Sequence, residues 1–227
     1  MHIPDGFIDA PVSIGAAALA AGGVAVALRT AGEEVLEARA ALTGLVAAFV
    51  FSAQMLNFPV ASGTSGHLIG GLLAAVLVGP WLGSLALTVV LGVQCLLFAD
   101  GGLSALGLNI VNLALIPAFA GYALFWLARQ ALPATRRSVV AATAIAAFAS
   151  VVLAALGFVL AYALGGNGAV PTATVLAAMV GVHGLIGLGE AVISALTVGT
   201  VLAVRPDLVY GAADLAPAPA EARGAVA

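Results

Sequence analysis

Residues 40–99 read AALTGLVAAFVFSAQMLNFPVASGTSGHLIGGLLAAVLVGPWLGSLALTVVLGVQCLLFA, and this stretch decides the fold. It contains no Asp, Glu, Lys or Arg, although such residues make up about a quarter of an ordinary globular domain. A membrane-spanning helix needs about 20 apolar residues, so a run of this length must fold as several spans. The stretch therefore predicts an integral membrane protein.

The rest of the chain has the same character. Of its 227 residues, 63% are apolar and 7% are charged, and the formal net charge is −3. No basic cluster is present that would hold nucleic acid. The single Cys95 lies in an apolar run, which excludes an internal disulfide and a cysteine metal cluster. Any metal site must therefore use nitrogen or oxygen ligands.

The apolar segments predict an all-α bundle of seven transmembrane helices. We expect one transmembrane domain over residues 1–204, followed by a Pro- and Ala-rich tail at 205–227 that is predicted to be disordered. No basic residue precedes Arg29, so a cleaved signal peptide is not expected. The predicted spans cover about residues 11–28, 40–56, 67–79, 81–98, 108–128, 138–163 and 173–204.

The third span is too short to cross the bilayer. A helix from His67 to Gly79 covers about 20 Å, whereas the hydrocarbon core is about 30 Å thick. The Ser- and Gly-rich residues 62–67 must then lie partly at membrane depth, with His67 near the start of the half-helix. Irregular backbone at this depth is tolerated only where protein buries it or it lines a cavity, so it indicates a binding site.

The arginines predict the orientation. If the N-terminus lies outside, all seven Arg residues fall in the cytoplasm, in agreement with the positive-inside rule. The C-terminus is then cytoplasmic. The N-terminal end, residues 62–67, the loop at Asp100 and the loop at Asn167 then share the outer face, which joins them into one candidate site.

The N-terminal residues have metal-binding chemistry. The amine of Met1, the backbone nitrogen of His2 and the His2 ring can close two adjacent chelate rings on one ion. A fourth nitrogen would complete a square, which suits Ni²⁺ and Cu²⁺. Many proteins carry a His at position 2 without such a role, so the terminus alone leaves both interpretations open.

Four motifs resemble a known family. They are MHIPDGF at residues 1–7, SGHLIGG at 65–71, ADGGLSALG at 99–107 with Asn109 beyond it, and GLGEA at 187–191. In these motifs, and over about residues 1–204, the chain resembles the CbiM/NikM family, the substrate-capture (S) components of energy-coupling-factor ABC importers for cobalt and nickel.

The resemblance implies a seven-helix fold in which the N-terminus inserts into the bundle, with the metal held by Met1, His2 and His67. It also implies a transmembrane coupling (T) protein, two cytoplasmic ATPases and often a small accessory membrane protein. The chain lacks a phosphate-binding loop, so it is not expected to be an enzyme or to hold a cofactor beyond its transported Co²⁺ or Ni²⁺. No span follows residue 204, so a fused accessory protein is not expected. The expected location is the plasma membrane of a prokaryote.

Other polar residues are candidates for the surroundings of the metal. His67 alone would more often bond another helix than bind a metal, and the family motif reverses that preference. Asp100 either orients His67 or caps its loop. His183 lies two helical turns before Glu190, which suggests a His/Glu pair with a structural or supporting role. The amides of Gln54, Asn57, Asn109 and Asn112 are expected to hold the inserted terminus.

Two other functions fit the residues less well. A self-sufficient secondary metal carrier would need no ATPase partner. An intramembrane serine hydrolase would use Ser65 as nucleophile and His183 as base, and it would not need a free Met1. The donor set does not choose between Co²⁺ and Ni²⁺, because the affinity order of nitrogen ligands permits both.

Overall fold

The computed structural model describes residues 1–60 and 64–215, with the backbone alone for residues 33–38, 58–60 and 64–65. Helices dominate, and a short antiparallel hairpin pairs Phe58 with Gly66 and Val60 with Thr64. The elements are α1 Ala10–Gln54, β1 Phe58–Val60, β2 Thr64–Gly66, α2 Gly71–Val78, α3 Pro80–Phe98, α4 Leu106–Ile110, a π-helix Val111–Gly121, α5 Tyr122–Ala131, α6 Arg136–Gly165 and α7 Thr172–Val204.

Five helical segments in the described part are long and apolar enough to cross a membrane, as expected of a multi-pass membrane protein. Their exposed leucines, such as Leu19 and Leu160, form a surface suited to lipid. The segments Arg39–Gln54 and Gly71–Val78 are shorter, so the count of seven spans remains a prediction. The five long segments are Ala10–Gly32, Pro80–Phe98, Leu106–Ala131, Arg136–Gly165 and Thr172–Val204.

Helix α1 has a defined start and an internal break. The Asp9 side chain accepts a hydrogen bond from the backbone N–H of Val12 at 3.0 Å and caps the helix. At Gly32 the backbone leaves the helical region, with φ 60° and ψ 164°. Glycine adopts this positive φ without the clash that a Cβ would cause, so the chain turns there between two apolar segments.

Helix α2 forms the centre of the bundle, because all eight of its residues are buried. Neighbouring α3 approaches it so closely that a Cβ on Gly83 would lie 2.8 Å from the backbone nitrogen of Ala75. The prediction that this helix begins at His67 was wrong. It begins at Gly71, because Gly70 has a φ of 74° and the amides of Ile69 and Gly70 bond to another helix.

The start of the predicted tail is folded. Two 3-10 helices, Pro206–Leu208 and Tyr210–Leu215, follow α7, and Val209 and Ala212 are buried. The ring of Tyr210 lies 5.9 Å from that of Tyr122. The prediction of disorder was therefore wrong for this part, because its apolar side chains have a surface to pack on. Residues 216–227 of the predicted tail lie outside the described residues.

The two ends of the bundle carry different groups. At one end, the loop after α6 meets the N-terminal segment, where Asn167 donates its backbone N–H to Phe7 O at 3.2 Å. At the other end, Arg39 lies 5.3 Å above the Tyr210 ring, and Arg129 pairs with Asp214. The loops expected to join the N-terminus do so. Which end faces outwards remains a prediction.

Candidate metal centre

The N-terminal segment lies inside the bundle. Met1 is 1% exposed, His2 5% and Ile3 0%, although these residues precede the first helix. Further along, Ile8 forms a β-bridge with Gly166, and Asp9 donates its N–H to Gly165 O at 2.6 Å. Backbone pairing thus places the chain end against α6 and directs it between the helices.

Asn109 recognises the backbone of the terminus. Its Oδ1 accepts the Ile3 N–H at 2.8 Å, and its Nδ2 donates to Ile3 O at 3.2 Å. The N–H of Gly102 donates to the same carbonyl at 2.8 Å. Both polar backbone groups of a fully buried residue are thereby satisfied, which fixes the register of Met1 and His2. The prediction that Asn109 holds the inserted terminus matches this contact.

The loop after α3 closes over the terminus. Asp5 Oδ1 accepts hydrogen bonds from the backbone N–H and the hydroxyl of Ser104, at 2.8 and 2.5 Å. These bonds hold the pKa of Asp5 below its ordinary value. A Cβ on Gly102 would collide with the backbone nitrogen of Asp5. Glycine at this position therefore allows the two backbones to meet.

The two histidines of the predicted ligand set lie together. The rings of His2 and His67 stack with centroids 4.6 Å apart and planes at 22°. His67 is 0% exposed, and its Nδ1 donates to Leu68 O at 2.7 Å. Its Nε2 is buried with no hydrogen-bond partner in the described part of the chain. The ring therefore presents one lone pair beside His2.

The His2 ring lies between two acceptors. Its Nε2 is 3.1 Å from Gln94 Oε1, and its Nδ1 is 3.1 Å from Asp100 Oδ1. When Nε2 donates to Gln94, Nδ1 carries the lone pair and faces a carboxylate oxygen. With the proton on Nδ1 instead, the ring donates to Asp100 and turns the lone pair of Nε2 towards Gln94.

Asp100 acts on His2 rather than on His67. Its second oxygen accepts from Asn57 Nδ2 at 3.3 Å, so Asn57 reaches the terminus through Asp100. The expectation that Asp100 orients His67 was wrong, because His67 uses its own neighbouring carbonyl. The contact with His2, the Asn57 bond and the nearby terminal amine hold the pKa of Asp100 below its usual range, although partial burial opposes them.

Burial favours the neutral forms of the Met1 amine and of His67. It lowers the pKa of the Met1 amine from 8.0 to about 4, although the negative charge of Asp100 acts in the opposite direction. Burial, together with the nearby amine and His2, lowers the pKa of His67 well below its ordinary value. Neutral amines and imidazoles are the forms that bind metals.

His183 and Glu190 do not pair as predicted. His183 Nδ1 donates to Met179 O at 2.8 Å within its own helix, and its Nε2 has no partner in the described residues. Glu190 instead accepts from the backbone N–H groups of Ile69 and Gly70, two and three residues after His67. The two side chains share a helix face, but their partners differ.

The other predicted amides have mixed outcomes. Gln54 donates to Ile69 O at 2.7 Å and so holds the His67 segment instead of the terminus. Asn112 is buried, and its Nδ2 has no partner within the described ranges. The sequence interpretation missed Gln94, whose oxygen meets His2. A lone amide in the otherwise apolar α3 could have identified it, because such a group needs a partner inside a membrane bundle.

The donor set is small. No group of three His, Cys, Asp or Glu side chains that could hold a metal occurs among the residues described. The side chains brought together here are the two imidazoles of His2 and His67. Ser65 is the nucleophile of the hydrolase alternative. Its side chain lies outside what the structure describes.

Comparisons place the chain among metal transporters. Residues 2–208 match the family described as the cobalt uptake substrate-specific transmembrane region, CbiM. The chain is 40% identical over 214 residues to a Haloquadratum walsbyi protein named for metal transport, covering 92% of this chain and 94% of that protein. It is 38% identical over 212 residues to an Archaeoglobus fulgidus protein named as a putative fused nickel transport protein. This match covers 92% of this chain and 68% of that protein.

A solved structure has the same fold. A crystal structure of a truncated transition metal transporter superposes with a TM-score of 0.82 at 31% identity, covering 89% of this chain and 99% of that one. The agreement extends over nearly the whole solved chain.

Proposed function

This chain belongs to the CbiM family of cobalt-uptake transmembrane proteins, and from that premise we propose that it captures Co²⁺ or Ni²⁺ as the substrate-binding subunit of an energy-coupling-factor importer. The observation that carries the proposal is the meeting of a buried chain terminus with two stacked imidazoles. A fold that serves only packing has no need to bring these three nitrogen-bearing groups together inside a membrane bundle.

The proposed ligands are the Met1 amine, the backbone nitrogen and ring of His2, and Nε2 of His67. The first three close a chelate from adjacent residues, and the fourth comes from the segment before α2. The unpartnered Nε2 of His67 and the Nδ1 of His2 that faces Asp100 support this assignment. Asp100 supplies negative charge beside the proposed cation, which lowers the electrostatic penalty of burying it.

Four nitrogens favour a tetragonal ion. This preference suits Ni²⁺, and the affinity order of nitrogen ligands also permits Co²⁺ with the same donors. Cu²⁺ binds such sites most tightly, so the metal delivered in the cell depends on availability as well as on the ligands. We propose that metal binding competes with protons, because acid protonates the exposed Met1 amine and so opposes its docking.

The proposed partners supply the energy. The chain has no phosphate-binding loop, so ATP hydrolysis is assigned to two cytoplasmic ATPase subunits that act through a transmembrane coupling protein. A small accessory membrane protein completes the proposed assembly, which lies in the plasma membrane of a prokaryote.

A proteoliposome assay separates this function from that of a secondary carrier. Uptake of ⁶³Ni²⁺ that continues with an inactive ATPase would support the carrier.

The direct test is metal binding by the purified subunit in nanodiscs. Calorimetry with Ni²⁺ and Co²⁺ should give one site per chain, and intact-mass analysis should show an unmodified Met1. No binding of either ion would reject the proposal.

A separate experiment tests the orientation. In a Cys95→Ala background, single cysteines are introduced in place of Ser104, Asn167 or Ala134 and labelled. The first two should react from outside and the third from inside.

A further inference from the structure

The carboxylate of Glu190 is buried in the bundle although it is not among the proposed ligands. It lies on α7 and is 1% exposed. Its Oε2 accepts the N–H of Ile69 at 2.7 Å, and its Oε1 accepts the N–H of Gly70 at 2.9 Å. A charged group at this depth is expensive unless it is well bonded, and such groups are functional candidates by default.

A second helix holds the same segment. Gln54 near the end of α1 donates its Nε2 to Ile69 O at 2.7 Å. Both polar backbone groups of Ile69 are therefore bonded by side chains from α7 and α1. Residues 67–70 have no regular secondary structure between β2 and α2, so these side chains replace the missing ladder of backbone hydrogen bonds.

The bonded segment determines where the His67 ring points. His67 lies two residues before Ile69, and its Nδ1 donates to the carbonyl of Leu68 at 2.7 Å. A shift of the Leu68–Ile69 backbone would therefore rotate Nε2 away from His2. We propose that Glu190 is a positioning residue that holds Nε2 of His67 in place for the transported ion. The inference rests on the proposed function.

The proposal explains why the group is a carboxylate. Two adjacent N–H donors need two acceptor oxygens, and the carboxyl group of Glu190 supplies both. A Gln at the same position supplies one oxygen and turns an NH₂ group towards the second N–H. One buried donor is then left without a partner, which is the costly arrangement. Glu190→Gln thus keeps the side-chain size while disturbing the segment that carries His67.

The test is a double-mutant cycle with His67. The probe is Cu²⁺, because the chelate at Met1 and His2 is expected to bind this tightest-held ion measurably without a fourth nitrogen. Glu190→Gln should weaken Cu²⁺ binding about 10- to 100-fold, the range found for residues that orient metal ligands. In a His67→Ala background the same substitution should have no further effect. The nitrogen hyperfine pattern of bound Cu²⁺ should change from four nitrogens to three with Glu190→Gln.

A matched control lies one turn along the same helix. Ser194 is also buried and also faces the bundle, but it makes no hydrogen bond to the His67 segment in the described structure. Ser194→Ala should leave affinity and the hyperfine pattern unchanged. Equal affinities of wild type and Glu190→Gln would overturn the proposal. So would an equal loss in both backgrounds, because Glu190 would then act without His67.

A second variant protects the test against misfolding. If Glu190→Gln does not fold, Gln54→Leu loosens the same segment from α1. It should weaken Cu²⁺ binding only when His67 is present, and an affinity equal to that of wild type would overturn the proposal. A wild-type protein that binds no metal would reject the proposed function itself, which is a different result from any outcome of the cycle.

Discussion

The two ends of the bundle are held together in different ways. At the end that contains the terminus, polar contacts are buried and join residues far apart in sequence, such as Ile3 with Asn109 and His2 with Gln94. At the other end, the polar contacts are ion pairs that reach the surface: Arg205 and Asp207 are both exposed, and Arg129 pairs with Asp214, which is 54% exposed. Buried polar groups must be satisfied, so they specify one arrangement, whereas exposed ion pairs contribute little. The difference indicates that the end with the terminus has the more strictly specified arrangement.

Extending the chain before Met1 should have the largest effect on the end of the bundle that contains the terminus. One added Gly converts the amine into an amide and places an extra residue where Met1 is 1% exposed. We expect Ni²⁺ binding to be lost. Calorimetry on this variant and on a protein with a C-terminal tag provides the matched pair. Equal binding by both would remove the terminus from the site.

His67→Ala should have the next largest effect. The variant loses the only proposed ligand outside the terminal segment while the contacts of Ile3 remain. Ni²⁺ affinity should fall by more than the roughly 100-fold that loss of an orienting contact costs. Ser194→Ala is the control, since that side chain is also buried and makes no hydrogen bond within the described residues. Equal losses in both variants would indicate general damage to the bundle.

Acid should loosen the terminal end and leave the other end intact. The Met1 amine has a pKa of 8.0 when exposed and about 4 when docked, so the undocked state binds more protons between these values. The docked state therefore has its full stability above pH 8. As pH falls from 8 towards 4, the equilibrium constant for docking decreases by about tenfold per pH unit. Hydrogen exchange of residues 1–9, with residues 206–215 as internal reference, measures this. Constant protection of the terminus between pH 8 and 5 would contradict it.

Asn109→Ala should have a moderate effect on the terminal end. It leaves both polar groups of buried Ile3 with fewer partners, which costs about 1–3 kcal/mol. Metal affinity should fall in proportion, because binding requires the docked terminus. Asn112→Ala on the same face is the control, since Asn112 makes no described contact with the terminus. Titration with Ni²⁺ distinguishes the two variants.

The smallest effect is expected at the opposite end. Asp214→Asn removes the partner of Arg129, and Asp214 is 54% exposed in that pair. Its loss should cost about 1 kcal/mol or less and leave metal binding unchanged. Thermal unfolding in detergent, together with a Ni²⁺ titration, would test both parts. A large loss of metal affinity would show that the two ends are coupled.

Much of the difference between the two ends of the bundle could be predicted from the sequence. Long apolar runs identified the membrane helices, and the placement of loops correctly grouped Asp100 and Asn167 with the terminus. Such predictions succeed because hydrophobic length and connectivity are local properties of the chain. They also identified Asn109 as a residue that holds the terminus, since a buried amide in an apolar helix needs a partner.

The errors concern contacts between remote segments. Glu190 was assigned to His183 because helical spacing is visible in the sequence, whereas its bonds to Ile69 and Gly70 span more than a hundred residues. The helix predicted from His67 begins later because those bonds occupy its first amides. The folded part of the tail was missed because its composition says nothing of the aromatic surface on which Tyr210 packs.

The order of synthesis gives the β-bridge between Ile8 and Gly166 a further consequence. The ribosome releases the first residues long before the loop after α6 exists, so the end of the chain must wait in an unpaired state while later helices are inserted. Contacts of such long sequence separation form late in folding. Docking of the terminus is therefore completed only near the end of biogenesis, and a nascent chain that stalls before residue 166 lacks the pairing that holds its terminus in place.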